Sequence, residues 1–430
     1  MPTPACDQIG AGKDEGEASH IMPNLGNATA LTCRECGNSV ELGPYYACAE
    51  CFGPLEVSYD VKGVTRESIE AGPHNIWRYK DLLPVPPNVA EIPNLEPGFT
   101  RLVKADQLAS ALGLSALWVK DDSGNPTHSF KDRVVGVALA AARELGFKVL
   151  ACPSTGNLAN AVAAAAARAG IRSAVFVPSD LEQQKIITTA VYDGTFVTVD
   201  GNYDDVNRLA SELAGEQEDW AFVNVNVRPY YAEGSKTLGY EIAEQLGWRL
   251  PDQIVVPIAS GSQLTKIDKA FQELIKLGLV EDRPYKVYGA QAEGCSPVSA
   301  AYKAGQDVIR PVKPNTIAKS LAIGNPADGP YVLDAVRRTG GAIEDVTDTE
   351  VVDAIRLLAR TEGIFAETAG GVTVGVLKKL IDSGQLDPSL ETVIINSGEG
   401  LKTLDAVAPV AKPSANIAPS IEAFRATGLV

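Results

Sequence analysis

Lys131 stands where a turn gives way to a helix, a position that does not suit a cation. Residues 120–133 read KDDSGNPTHSFKDR. Gly124, Asn125 and Pro126 are turn formers. Ser129 suits a helix cap, and Asp132 suits the first turn of the helix that follows. The N-terminal end of a helix dipole disfavours an ammonium group, which lowers a lysine pKa and frees the amine to attack a carbonyl. In isolation the same pattern also describes a surface lysine that tolerates its position.

Three loops elsewhere bear on that choice. Ser154, Thr155, Gly156 and Asn157 lie between an apolar run and an Ala-rich segment. Their backbone N–H groups could bind a carboxylate, and Asn157 could donate to a phenolic oxygen. Ala259, Ser260, Gly261, Ser262 and Gln263 follow the apolar run IVVPI and precede a helical pattern. Small residues there let the backbone approach one phosphate at a helix N-terminus. The spacing is not GxGxxG, and the chain has no GxxxxGK[ST] loop. The third loop, NSGEGLK at 396–402, places Ser397 where a flat ring could lie against backbone. Each loop alone also reads as an ordinary turn. Together with the lysine they share one purpose, which is to hold a phosphorylated ring.

A second kind of chemistry lies near the N-terminus. Cys33 and Cys36 form one CxxC pair, and Cys48 and Cys51 form another 11 residues further on. Each pair fits a knuckle that gives two thiolates to a tetrahedral Zn²⁺, and such a metal would fold a unit too small for its own core. Thiols without metal and a redox dithiol are the other readings. The remaining cysteines, Cys6, Cys152 and Cys295, are scattered, which is no disulfide framework. With His20, His74 and His128 as the only histidines, a histidine-rich metal centre is excluded.

The elements that must position these groups read as an α/β chain. Short β-branched runs are expected as strands at 117–120, 148–152, 173–177, 195–199, 220–226, 253–258, 285–290 and 392–396. Helical patterns fall at 132–145, 158–168, 181–192, 235–246, 264–277 and 349–360. That alternation implies parallel sheets flanked by helices. Residues 73–103 are Pro-rich and read as an ordered arm wrapping the body. With 430 residues, two packed lobes are expected. The net charge of −16, from 38 Lys and Arg against 54 Asp and Glu, argues against nucleic acid and anionic membranes, even for a ribbon. No apolar run is long enough to span a bilayer and the start lacks a signal-peptide pattern, so a cytoplasmic protein is expected. Met22 is a possible alternative start.

NPTHSFKDR, STGN at 154–157, GNYDD at 201–205, EGSKT at 233–237, the loop at 259–263, FAE at 365–367 and GLK at 400–402 together resemble the fold type II pyridoxal-phosphate (PLP) enzymes. Within them the chain is most similar to the threonine synthases, over about residues 70–405, and the cysteine module resembles an extension found on some of these. The resemblance implies a two-lobed fold of the tryptophan synthase β kind with a small zinc-ribbon-like module in front. The expected boundaries are a disordered tail at 1–28, the ribbon at 29–60 and a large cofactor domain at 61–145 and 231–412. A small substrate domain at 146–230 and a C-terminal tail at 413–430, packed on the surface, complete them.

It further implies that Lys131, next to Phe130, carries PLP as a Schiff base and acts as general base and acid. Asn157 would bond the cofactor's 3′ oxygen, residues 259–263 would cradle its phosphate, and Ser397 would face the pyridine nitrogen. The reaction would turn O-phospho-L-homoserine and water into L-threonine and phosphate. The substrate carboxylate would rest on Ser154, Thr155 and Gly156, and its phosphate on a set drawn from Lys120, Lys185, Asn202, Asn226 and Arg228. A homodimer is expected. The alternatives are a cysteate-synthase-like or serine/threonine-dehydratase-like lyase, or a non-catalytic ribbon scaffold. His128 stands where relatives usually carry Gly. ASGSQ replaces GNAGN, and Leu158 replaces a polar residue.

Overall fold

The computed structural model describes residues 23–429. The possible start at Met22 and most of the expected N-terminal tail lie outside them. Within them the chain is already anchored at Leu25, which is 1% exposed, and a strand begins at Ala28.

Among the described residues, thirteen strands form three sheets. β1 (Ala28–Cys33), β2 (Ser39–Val40) and β3 (Leu55–Tyr59) make a small antiparallel ribbon in the order β2-β1-β3. β4 (Arg101–Lys104) and β5 (Ala116–Asp121) open the largest sheet. The chain then leaves it to build a four-stranded sheet from β6 (Val149–Pro153), β7 (Arg172–Pro178), β8 (Thr195–Val199) and β9 (Trp220–Phe222), in the order β8-β7-β6-β9. It returns with β10 (Gln253–Pro257), β11 (Lys286–Ala292), β12 (Ile343–Val346) and β13 (Glu391–Asn396), giving the order β12-β11-β10-β13-β5-β4. All pairs in the two larger sheets are parallel except β4 with β5.

The inner strands are apolar without alternation because both faces are covered, while the edge strands β4 and β8 are partly exposed. In the large sheet, Ile254, Val256, Val393 and Ile395 enter one core, with the helices Lys236–Gln245 and Ser262–Lys276. Val255 and Ile394, one residue out of phase, enter the opposite core under Asp348–Glu362 and Thr368–Asp382. The small sheet repeats this, with Leu150 and Cys152 on one face and Val149 and Ala151 on the other. The helix Asn157–Ala169 packs through Ala159, Ala161 and Ala165, whose short side chains allow a close approach to the sheet. The arm at 73–103 buries Trp77, Tyr79, Leu82 and Val85 in the first core.

Parallel topology decides where function can sit. The loops after β5, β10 and β13 all leave the same edge of the large sheet, and the loop after β6 leaves the corresponding edge of the small one. β13 runs beside β5 with Asn396 opposite Asp121. That register lays Ser397 alongside the turn leading to Lys131, where the Phe130 N–H donates to the Ser397 carbonyl at 2.9 Å.

Several local expectations change. The strand expected at 220–226 stops at Phe222, because the Asn226 side chain accepts from the Phe222 N–H (2.9 Å) and donates to the Trp220 carbonyl (3.0 Å), turning the chain. Ser129 does not cap its helix. The helix Lys131–Glu144 follows Phe130 with no side-chain cap, and Asp132 instead accepts from the Thr127 N–H and hydroxyl, both at 2.7 Å. Residues 408–422 are all exposed, so the C-terminal segment does not pack on the body as expected.

Candidate active site

Lys131 opens its helix at the foot of two adjoining cavities. Its Nζ donates to the Tyr231 hydroxyl at 2.9 Å. Removal from water is the main cause that holds the amine down to about 8, while the carboxylate of Glu367 pulls the other way. The sequence pointed to the helix end as the cause of a lowered pKa. Burial is the larger one.

The smaller cavity is lined on one side by Phe130, Asn157, Glu367 and Ser397, and on the other by the loop at 259–263. Gly261 has φ +100, and a Cβ there would come within 2.7 Å of Val332, so this close backbone turn requires glycine. The helix Ser262–Lys276 starts immediately after it with no side-chain cap. The Ser262 hydroxyl and the Gln263 amide nitrogen are buried without a partner, as is the Ser320 hydroxyl across the cavity. Unpartnered buried donors at a helix N-terminus carry a standing cost that an anion would remove. The Asn157 carbonyl oxygen is likewise unpartnered, while its amide donates to both Glu367 oxygens at 2.9 and 3.1 Å. Ser397 reaches the same carboxylate at 3.4 Å. These groups fit a phosphorylated aromatic aldehyde. The donors suit its phosphate, the polar wall suits its ring, and Lys131 suits its carbonyl carbon.

The larger cavity shares Lys131, Thr155 and Tyr231 with the first, and also Ser260, Ser262 and Ser320, and opens between the two sheets. Arg228 lines it, paired with Asp328 at 2.8 Å. So do Arg208, Asn207 and Tyr203 from the helix Tyr203–Glu216, and Asn224, whose side-chain oxygen is buried without a partner.

Of the side chains expected at the substrate, Thr155 and Arg228 do line this space. Ser154 lies on its wall, but its hydroxyl accepts from the Gly156 and Ala159 N–H groups, both at 2.9 Å, and so shapes the loop. Gly156, at φ +115, is forced by Lys185, whose Cδ would lie 2.3 Å from a Cβ.

Four expected phosphate ligands are withdrawn on their geometry. Lys120 is 0% exposed and bonded to Glu241 (2.6 Å), the Thr100 carbonyl and Gln245. Lys185 is buried behind the loop and paired with Glu182 at 3.2 Å. Asn202 spends its side chain capping Tyr203–Glu216, accepting from the Asp204 and Asp205 N–H groups. Asn226 is consumed by the turn described above.

Tyr231, Glu367, Arg208, Asn224 and Ser320 are the groups sequence reasoning did not assign. GNYDD and FAE had marked the neighbourhood of two of them. His128, exposed and at φ +63, occupies a left-handed position that glycine takes without strain, and its ring lies outside both cavities. Leu158, by contrast, lines the larger cavity.

The cysteines form a separate centre. The Cys33 and Cys51 sulfurs are 3.5 Å apart, those of Cys36 and Cys48 3.7 Å, and all four lie within 4.8 Å of one another. Thiolates at about 2.3 Å from a tetrahedral Zn²⁺ would be roughly 3.8 Å apart, so the set fits that ion. Among the described residues no helix is long and apolar enough to cross a membrane.

Comparison with known proteins gives the family. A family model described as pyridoxal-phosphate dependent enzyme matches residues 94–398. The threonine synthase of Methanocaldococcus jannaschii is 37% identical over 87% of this chain and 93% of its own length. That of Methanosarcina acetivorans is 36% identical over 92% and 97%. Among solved structures, a fungal L-serine ammonia-lyase from Rhizomucor miehei superposes with a TM-score of 0.62 at 22% identity, covering 74% of this chain and all of its own. O-ureido-L-serine synthase does so at 0.60 and 20%, covering 79% and 98%. At that identity the two structures speak for the fold alone.

Proposed function

The chain belongs to the pyridoxal-phosphate-dependent enzymes and, within them, to the threonine synthases, and from that membership we propose how its own side chains divide the work. It is a lyase that forms L-threonine, and its substrates are O-phospho-L-homoserine and water, with phosphate released. The observation that carries the assignment is that Lys131 is shared by two cavities, each furnished for an anion. A serine or threonine dehydratase needs the cofactor's phosphate site and a place for a carboxylate. A substrate with a phosphate of its own needs a further cationic partner, which Arg228 supplies in the larger cavity.

PLP, when bound, supplies an electron sink for negative charge developing on the substrate. Ser262, Gln263 and the N-terminal turn that follows Ala259, Ser260 and Gly261 hold its phosphate. Phe130, Asn157 and Ser397 border its ring, with Glu367 linked to both polar groups. Lys131 would hold the cofactor covalently, and its free amine would carry protons at the substrate's Cα and Cβ. An amine titrating near 8 suits both giving and taking a proton at neutral pH. Tyr231 orients it. In the loop of Ser154, Thr155 and Gly156, Thr155 lines the cavity and its N–H holds the substrate carboxylate, because the Ser154 and Gly156 N–H groups are taken by the Phe176 carbonyl and the Ser154 hydroxyl. Arg228 binds the phosphate that departs from Cγ, before water adds at Cβ, while Arg208, which lines the same cavity, is paired with Glu212 at 2.9 Å.

Cys33, Cys36, Cys48 and Cys51 hold a structural Zn²⁺ in this reading, supported by the sulfur separations above. The reading is completed by a cytoplasmic homodimer without nucleic-acid partners. The acidic charge of −16 supports the last point. Ile417, Ile421 and Phe424 of the C-terminal segment are exposed and offer apolar area to a second copy.

The decisive experiment supplies O-phospho-L-homoserine to the wild type and to Lys131→Ala, measuring phosphate and threonine. Equimolar release by the wild type alone is expected. Formation of pyruvate from serine or 2-oxobutanoate from threonine, with no phosphate release, would reject the reading in favour of a dehydratase.

A further inference from the structure

The cysteine ribbon is built into the walls of the larger cavity. The Gly43 N–H donates to the Tyr230 hydroxyl at 2.9 Å, and that hydroxyl lies 3.0 Å from the Gly43 carbonyl, to which it donates in turn. Tyr230 is fully buried, and its neighbour Tyr231 receives the hydrogen bond from Lys131. Glu56 of β3 accepts from Lys266 at 2.6 Å, and Lys266 also donates to Glu233 at 2.7 Å. The Arg34 guanidinium lies 3.7 Å from the centre of the Tyr331 ring. The ribbon thus touches two helices that line the cavity, Arg228–Glu233 and Ser262–Lys276, and a third, Gly329–Thr339, through Tyr331.

One ribbon side chain enters the cavity wall itself. Tyr46 lines it together with Arg228, Arg208 and Asn224, and with Arg228 it also lines the small cleft beneath. Tyr46 is 53% exposed, and among the described residues its hydroxyl has no hydrogen-bond partner. A large aromatic ring left half in water gains only part of the stabilisation of full burial, and its free hydroxyl at the cavity wall is available to a ligand.

We propose that Tyr46 is a substrate-binding, specificity-determining residue whose hydroxyl donates to the substrate's phosphomonoester beside Arg228, so that the cysteine ribbon forms part of the substrate site. The inference rests on reading the larger cavity as the substrate's phosphate pocket. The Arg228 charge is already matched by Asp328. A neutral donor adds a bond to the phosphate without adding a further cation. A substrate without phosphate gains nothing from it, so Tyr46 sorts phosphorylated from unphosphorylated amino acids.

The test compares the wild-type holoenzyme with Tyr46→Phe and Tyr46→Ala. In Tyr46→Phe the KM for O-phospho-L-homoserine should rise by about tenfold, the loss of one hydrogen bond to a charged group, with kcat moving less. The KM of any residual serine turnover should not move. In a second measurement, amide exchange across residues 40–48 should slow when inorganic phosphate is added to the wild type, and not in Tyr46→Phe. If Tyr46→Ala fails to fold, Tyr46→Phe decides alone, because it removes only an exposed hydroxyl. An unchanged KM in Tyr46→Phe, a fall in kcat with KM constant, or identical exchange in both proteins overturns the inference while leaving the function intact. A wild type that releases no phosphate from the substrate removes both together.

Discussion

The first turn of the helix Lys131–Glu144 divides two polar regions of opposite character. Behind it, Arg133 is 0% exposed and donates to Asp122, Glu241, Thr100 and Thr237, while Lys120 completes the cluster through Glu241. Two cations face two carboxylates, and every donor of the guanidinium and the ammonium has somewhere to go. In front of it, Lys131 has one hydrogen bond, and Ser262, Gln263, Asn157 and Ser320 keep buried atoms with none. Residues two apart in sequence therefore serve different ends. A buried polar cluster that satisfies itself holds the fold, and one left unsatisfied is waiting for a ligand.

Four measurements would break or sharpen that contrast. Lys131→Ala should lower kcat by about 10⁴-fold or more, since it removes both the covalent attachment and the proton carrier. Its thermal unfolding without cofactor should stay near that of the wild type. A large loss of stability would place Lys131 with the structural cluster. Arg133→Ala should do the reverse. It strands Asp122 and Glu241 in the interior, at a cost of about 3–5 kcal/mol read from denaturant unfolding, and the activity of the molecules that still fold should be largely kept.

Ser262→Ala and Gln263→Leu should each weaken PLP affinity by about tenfold, one lost hydrogen bond to a charged group, as followed by the cofactor's absorption on titration. Stability without cofactor should be unchanged or slightly raised, because an unpartnered buried group disappears. The smallest effect is in pH. The Lys131 amine titrates near 8 in the fold and at its ordinary 10.5 in the unfolded chain, so between those values the unfolded chain holds a proton that the folded one has released. Stability of the cofactor-free protein should therefore rise with pH across that window, and Lys131→Met should lose this contribution.

What the sequence discloses follows the same division. The central strands near 117–120, 148–152, 173–177, 253–258 and 392–396 were readable because they are largely buried and apolar, whereas the short or polar β4, β12 and the helix Tyr203–Glu216 gave no such pattern. The loops at 154–157, 259–263 and 396–402 were readable because small residues and glycines mark close backbone approach. Phosphate ligands were not. Lys120, Lys185, Asn202 and Asn226 have the right chemistry, but partners nearby in space or in sequence had already claimed them, and no pattern displays that. Arg208 lies on a helix whose facing can be known only once the sheets are assembled. Tyr46 belongs to a module whose spacing announces metal and nothing else.

The ribbon's contacts also have an order in time. Its partners lie far along the chain: Gly43 meets Tyr230 across 187 residues, Glu56 meets Lys266 across 210, and Glu35 meets Tyr331 across 296. During synthesis the ribbon emerges long before any of the surfaces it will join. A metal-closed unit can fold by itself at once and wait, whereas an open one would leave Leu31, Leu42 and Val57 exposed until the second half of the chain arrives. Those distant pairings make for slow folding. In the zinc-bound reading proposed above, the four cysteines act as an early fastening that holds the ribbon together until its place in the finished protein exists.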